Sequence, residues 1–149
     1  MNIAIGCDHR GIDLKDFVNQ LVCGEGHAVE DFGCYSTDPV DYPDIAKVVA
    51  TAVARGDYDH GILICNTGIG MSIAANKVKG IRAALCCDVF GASRARQHND
   101  ANILCLSTEN EHEIVASIVL TYLASEFEGG RHKKRVDKIM AIENYRYRD

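Results

Sequence analysis

Five short apolar runs, each followed by a stretch with helical spacing, recur along the chain, and this alternation constrains the fold more than any other feature. Residues 3–7, 28–32, 61–65, 81–86 and 103–106 read as strands. Residues 11–21, 45–54, 72–78 and 89–97 read as amphipathic helices, 111–127 as a long helix, and a basic helix begins near Arg131 after Gly129-Gly130. Strands and helices alternating at this spacing predict an α/β fold. The expected form is a doubly wound, Rossmann-like, five-stranded parallel sheet of flavodoxin-type order, with helices on both faces and residues 1–149 in one domain. Ligands of such sheets bind beyond the carboxyl ends of the strands, at the switch point between the first and third. The loops there are Asp8-His9-Arg10-Gly11 and Asn66-Thr67-Gly68-Ile69-Gly70.

Composition narrows the partners. With 149 residues, 47% of them hydrophobic, the chain can bury a sizeable core without disulfides or a structural metal. Its formal charge of −5 offers no basic face to nucleic acid. No apolar run approaches the ~18 residues of a membrane span, and the first residues lack a leader pattern, so a cytoplasmic protein free of membrane is expected. The seven cysteines, Cys7, Cys23, Cys34, Cys65, Cys86, Cys87 and Cys105, are odd in number and lack C-x-x-C spacing. That argues against a disulfide framework, a zinc site or a thioredoxin motif.

Cys65-Asn66-Thr67-Gly68-Ile69-Gly70-Met71-Ser72 joins a strand to a helix, and its glycines let successive backbone N–H groups turn toward one anion. It is neither a Walker loop nor a dinucleotide fingerprint, because Met71-Ser72 and Ile73 stand where those patterns need other residues. A cysteine facing a helix's positive end is a candidate base or nucleophile; the alternative is that Cys65 merely ends a buried strand. Asp8 and His9 pair a carboxylate with an imidazole, suited to proton transfer or to gripping a hydroxyl or phosphate, although Asp8 also suits a helix N-cap. His98-Asn99 closes a helix, where histidine is an ordinary partner of the dipole. Tyr42 sits between Asp41 and Pro43 in what reads as a turn and could present its phenol to a ligand. Arg131 and Arg135 share a helix face by i, i+4 spacing and read either as solvated surface or as a phosphate clamp, one that could reach a neighbouring subunit.

These residues occur in ordered motifs: D-H-x-G, D-Y-P-D, C-x-T-G-x-G-x-S-I-A-A-N-K, G-I-R-A, R-Q-H-N-D-x-N-I-L and G-G-R-H-x-x-R-V. From Asn2 to about Glu143 the chain resembles the B-type ribose-5-phosphate isomerases and their galactose-6-phosphate isomerase relatives. The resemblance implies an aldose–ketose isomerisation through a cis-enediolate, without metal or cofactor. It makes Cys65 the base and the N–H groups from Asn66 through Gly68, Ile69, Gly70 and Met71 the hole for the enediolate oxygen. Thr67, Asp8 and His98 match ring-opening and hydroxyl-binding residues; Tyr42, Ser72 and Asn99 match substrate contacts; His9, Arg131 and Arg135 match phosphate contacts. It further implies a homodimer, or a dimer of dimers, with the site at the subunit interface and the helix from about 131 to 144 packing toward the partner. Arg10, Asn66 and Glu109 depart from the family's usual residues and bear on substrate choice, with allose 6-phosphate, galactose 6-phosphate or a tetrulose 4-phosphate as alternatives to ribose 5-phosphate. A sensor that binds a sugar phosphate or nucleotide without turnover is the reading outside enzymology.

Overall fold

The computed structural model describes residues 1–144. Its elements alternate as β1 (Asn2–Cys7), α1 (Ile12–Gly24), β2 (Ala28–Asp31), α2 (Tyr42–Ala54), β3 (His60–Cys65), α3 (Ile69–Ala75), β4 (Ala83–Leu85), α4 (Val89–Asn99), β5 (Ile103–Ser107), α5 (His112–Ala124) and α6 (Arg131–Ile142). The five strands form one sheet in which every pairing is parallel.

Side-chain alternation along the strands feeds two cores. Ile3, Ile5, Ile62, Ile64, Leu104 and Leu106 face Leu14, Val18 and Val22 of α1 and Val115, Ile118, Val119 and Tyr122 of α5. On the other face Ala4, Leu63, Cys65, Ile103 and Cys105 meet Ala46, Val49, Ala50 and Val53 of α2, with Met71 and Ala75 of α3. Strands apolar on both faces are what a parallel sheet covered by helices requires.

The strand order is β2-β1-β3-β5-β4, whereas the flavodoxin-type order expected from the sequence ends β4-β5. The exchange follows burial: β5 is buried at every residue, while the three residues of β4 are only half-buried. The more apolar strand takes the inner place and the short one covers the edge, as edge strands do. The switch point between β1 and β3 is unaffected. Several boundaries also move, among them β4, which covers Ala83–Leu85 rather than 81–86. Helix α2 begins at Tyr42, with Pro43 in its first turn, because proline's fixed φ suits that position. Helix α3 starts at Ile69, so the loop after β3 is only Asn66–Gly68. Helix α5 stops at Ala124, short of Phe127.

Candidate active site

Strands β1 and β3 run side by side, with Cys7 paired to Ile64, so the loops that follow them emerge together. Asp8 continues the ladder by donating its N–H to the Ile64 carbonyl at 3.1 Å, which leaves its buried carboxylate at the strand mouth. One carboxylate oxygen accepts the Arg10 N–H at 3.0 Å, while Gly11, rather than Asp8, precedes α1 as its cap. The Val40 N–H donates to His9 Nδ1 at 3.2 Å. The proton of the neutral ring therefore sits on Nε2, free to be donated to an anion. Arg10 is exposed beside them.

Cys65 ends β3 with its side chain on the α2–α3 face, buried but at the rim. Gly68 turns the chain with φ 73°, a region where glycine alone is unstrained. That turn aims the Gly68 N–H at Cys65 Sγ, 3.2 Å away, and the Thr67 hydroxyl takes the Ile69 N–H at 3.3 Å. The Asn66 carbonyl is pinned to the β5 end by the hydroxyls of Ser107 at 2.7 Å and Thr108 at 3.3 Å. Because C=O and N–H of one trans peptide point oppositely, the Thr67 N–H is turned away from β5. Among the described residues no acceptor meets the N–H groups of Asn66, Thr67, Gly70 or Met71. Four unpaired backbone donors beside a thiol form a nest for an anion. Three thiols on or just beyond the strands are ordinary core groups: burial pushes Cys7 and Cys86 up to about 12, and Cys105 is raised by the same cause.

The neighbours of this loop differ in what they offer. Tyr42 packs its ring directly over Gly70, where a Cβ would lie 2.6 Å from the ring. Its place in the first turn of α2 thus brings the phenol to the nest. Met71 contributes its N–H only, since its side chain is wholly buried, and Ile69 exposes its side chain to solvent. The Ser72 hydroxyl is turned to the Ala83 carbonyl at 3.4 Å, away from the nest.

His98, Asn99, Arg131 and Arg135 gather elsewhere. Helix α4 runs back along the sheet, and the residues after it begin β5 at the end where the Gly61 N–H meets the Asn102 carbonyl at 2.9 Å. Cys65 lies four residues further along β3, so at ~3.3 Å per residue the two groups sit at opposite ends of the sheet, more than ~10 Å apart. At this corner the His98 and His132 rings stack with centroids 4.0 Å apart. Arg94 Nη1 faces His98 Nε2 and Arg131 Nε donates to His132 Nε2, each at 3.4 Å. A guanidinium only donates, so His98 Nε2 presents its lone pair. Glu128 stands 3.9 Å from His98 and 3.4 Å from His132. Burial, then His98 and Arg131, lower His132 and favour its neutral form. His98, Glu128 and His132 bring three possible ligand atoms within 4.8 Å of one another. Both imidazole nitrogens nevertheless face arginines and the rings stack flat, a setting hostile to a cation. Glu128 does not stand out in the sequence and His132 does so only within G-G-R-H, although the i, i+4 spacing of the two is a readable sign that they touch. A groove of about 630 Å³ along β2 and α2 carries none of these residues.

Comparison with known proteins decides the lineage. Residues 3–139 match the ribose/galactose isomerase family. The chain belongs to that family. It is 47% identical to the ribose-5-phosphate isomerase B of Escherichia coli, with 97% of each chain covered. Among solved structures, a Clostridium thermocellum ribose-5-phosphate isomerase B superposes with a TM-score of 0.95 at 49% identity, covering 97% of this chain and 98% of that one. A Mycoplasma genitalium ribose-5-phosphate isomerase B, solved with bound ribulose-5-phosphate, superposes with a TM-score of 0.93 at 44% identity over 97% of both chains. The chain is thus similar to aldose–ketose isomerases over nearly its whole length.

Proposed function

We propose that the chain is an aldose–ketose isomerase interconverting ribose 5-phosphate and ribulose 5-phosphate. The observation that carries this reading is the Cys65 thiol beside four backbone N–H groups without acceptors. In the open-chain aldose, the Cys65 thiolate takes the proton from C2, and the electron pair moves through C1 onto the carbonyl oxygen. The nest holds the oxyanion of the resulting cis-enediolate. The thiol returns its proton to C1 as the C2 hydroxyl passes its own to the C1 oxyanion, which yields the ketose and regenerates the thiolate. One such donor lowers the barrier by roughly 2.7–4 kcal/mol in enzymes where it has been removed. Asp8 and Thr67 stand where they bind sugar hydroxyls, and His9 donates Nε2–H to the phosphate.

The second half of the site comes from a partner. His98, Asn99, Arg131 and Arg135 lie at the far end of the sheet, so a homodimer delivers them to the partner's Cys65 loop, with His98 serving ring opening and the arginines the phosphate. In this reading the whole chain works as one isomerase domain in the cytoplasm, α6 packs toward the partner, and the chemistry uses neither metal nor cofactor.

The test is Cys65→Ala, assayed on aldose phosphates of four to six carbons. A loss of kcat of about 1,000-fold with KM within a few-fold is expected, because only the proton-transfer step loses its base. Near-wild-type turnover removes Cys65 as base. The panel assigns the sugar: preference for another chain length makes Arg10, Asn66 and Glu109 its determinants, and binding without turnover makes the chain a sensor.

A further inference from the structure

Helix α4 delivers His98 and Asn99, yet the core grips it weakly. Of its residues only Ala92 and Ala95 are buried, and two methyl groups remove far less apolar area from water than the Leu and Val stripe of α1 or the Ile, Val and Tyr stripe of α5. Hydrophobic burial alone does not fix where its last turn points.

A charge node immediately beyond that turn does. Asp100 has φ 47°, the one non-glycine residue in the left-handed region among the described residues. Aspartate tolerates that conformation better than most side chains. Its N–H closes the helix onto the Arg96 carbonyl at 3.1 Å. Its carboxylate is shared between two arginines: Oδ1 accepts from Arg96 Nη1 at 2.8 Å and Oδ2 from Arg82 Nη2 at 3.1 Å. Arg82 Nε donates to the Asp100 carbonyl and Arg96 Nη1 to the Ala101 carbonyl, both at 2.8 Å. Arg82 Nη1 faces Met140 Sδ of α6 at 3.4 Å. One carboxylate therefore joins the approach to β4, the end of α4 and, through Arg82, α6. Those two helices carry all four residues of the second half-site.

We infer that Asp100, clasped by Arg82 and Arg96, is the positioning residue of that half-site. It sets His98 and the placement of α4 against α6, so that both reach the partner's Cys65 loop together. The inference rests on the function proposed above. Charge-assisted hydrogen bonds from planar guanidiniums are short and directional. Without the carboxylate, two mostly buried guanidiniums would be left to repel one another.

Asp100→Asn keeps the size and the left-handed tolerance while removing the charge; Asp100→Gly keeps the backbone while removing the clasp. In the folded dimeric enzyme with ribose 5-phosphate, each is expected to lower kcat about 20-fold with KM within twofold, as misplaced groups do. A merely structural role would lower the melting temperature and leave kcat unchanged. The deciding measurement is a double-mutant cycle with His98→Asn, in which Asp100→Asn added to His98→Asn costs no more than about twofold further. Multiplying losses, or wild-type kcat in Asp100→Asn, overturn the inference. Amide exchange gives a readout independent of turnover: faster exchange at residues 96–102 with residues 65–72 unchanged is expected, and unchanged exchange at 96–102 overturns it. Failure of the underlying reading looks different, since the unmodified chain would then turn over no aldose phosphate.

Discussion

At the carboxyl ends of β1 and β3 anion binding, in the function proposed above, is carried by backbone N–H groups that buried strands fix beside the Cys65 side chain. At the α4–α6 corner it is carried by side chains, two of them the exposed arginines Arg131 and Arg135, held by ion pairs and ring stacking. The difference teaches where precision comes from in each half. N–H groups of a turn between a buried strand and a helix need no side-chain ordering, so the nest is set before substrate arrives. Exposed arginines lose rotamer freedom when they grip a phosphate, and that cost is met only when the ligand is present.

The nest is the half that a single backbone change should break most completely. An alanine Cβ at position 68 would stand 2.5 Å from Leu85 Cδ1 and 3.0 Å from the Leu106 carbonyl oxygen. The left-handed φ there adds ~1–2 kcal/mol of strain for an L side chain. Gly68→Ala is expected to fold with a lowered melting temperature and to lose about 100-fold in kcat, because the N–H groups shift off the oxyanion. Wild-type kcat in the folded variant would show that the turn's geometry is not what holds the nest.

Mixing tests whether the halves belong to different chains. Cys65→Ala and His98→Asn enzymes, each keeping only a small residual turnover alone, are unfolded and refolded together in equal amounts. In a symmetric dimer half of the products are mixed, and each mixed dimer has one intact site of two, so activity returns to about a quarter of wild type. No recovery, with mixed dimers demonstrated, would place both halves in one chain.

Much of the nest was legible in the sequence because its parts are contiguous: Cys65, the glycines and the following helix lie within eight residues, and spacing alone locates them. Sheet order was less legible. Alternation of strands and helices is the same whether β4 or β5 lies beside β3, and only burial on both faces of residues 103–107 separates the two. The corner was least legible, because its contacts join distant segments. Asp100 reads as a loop residue after H-N, and nothing local says that Arg82, eighteen residues earlier, grips it. Tyr42 shows a smaller loss: read as a turn residue, it opens α2, and that shift is what lays its ring over Gly70.

A weaker perturbation sharpens the other side of the comparison. Arg131→Ala removes an exposed guanidinium whose Nε donates to His132. The expected result is about a tenfold rise in KM for the phosphorylated sugar, with kcat within threefold, since a phosphate contact made equally in ground and transition states acts on binding. Raising ionic strength should shrink the gap between variant and wild type. An unchanged KM would take Arg131 out of the phosphate site.

The smallest effect concerns the start of β3, where His60 packs against Tyr122 of α5. Its Nδ1 lies 3.4 Å from the Tyr122 hydroxyl, which itself donates to the Ala101 carbonyl at 2.6 Å. Burial, reinforced by the Arg96 charge, lowers His60 from 6.5 to about 4. The folded chain therefore refuses a proton that the unfolded chain accepts. Between pH 6.5 and about 4 the unfolded state binds more protons, so stability falls as pH falls through that window and this group adds nothing further below it. Carboxylates titrate in the same range, and comparison with His60→Gln separates them. Wild type should lose about 5 °C more in melting temperature than the variant between pH 6.5 and 4.5. Parallel curves would mean that His60 is solvated, and the β3–α5 junction looser than its contacts indicate.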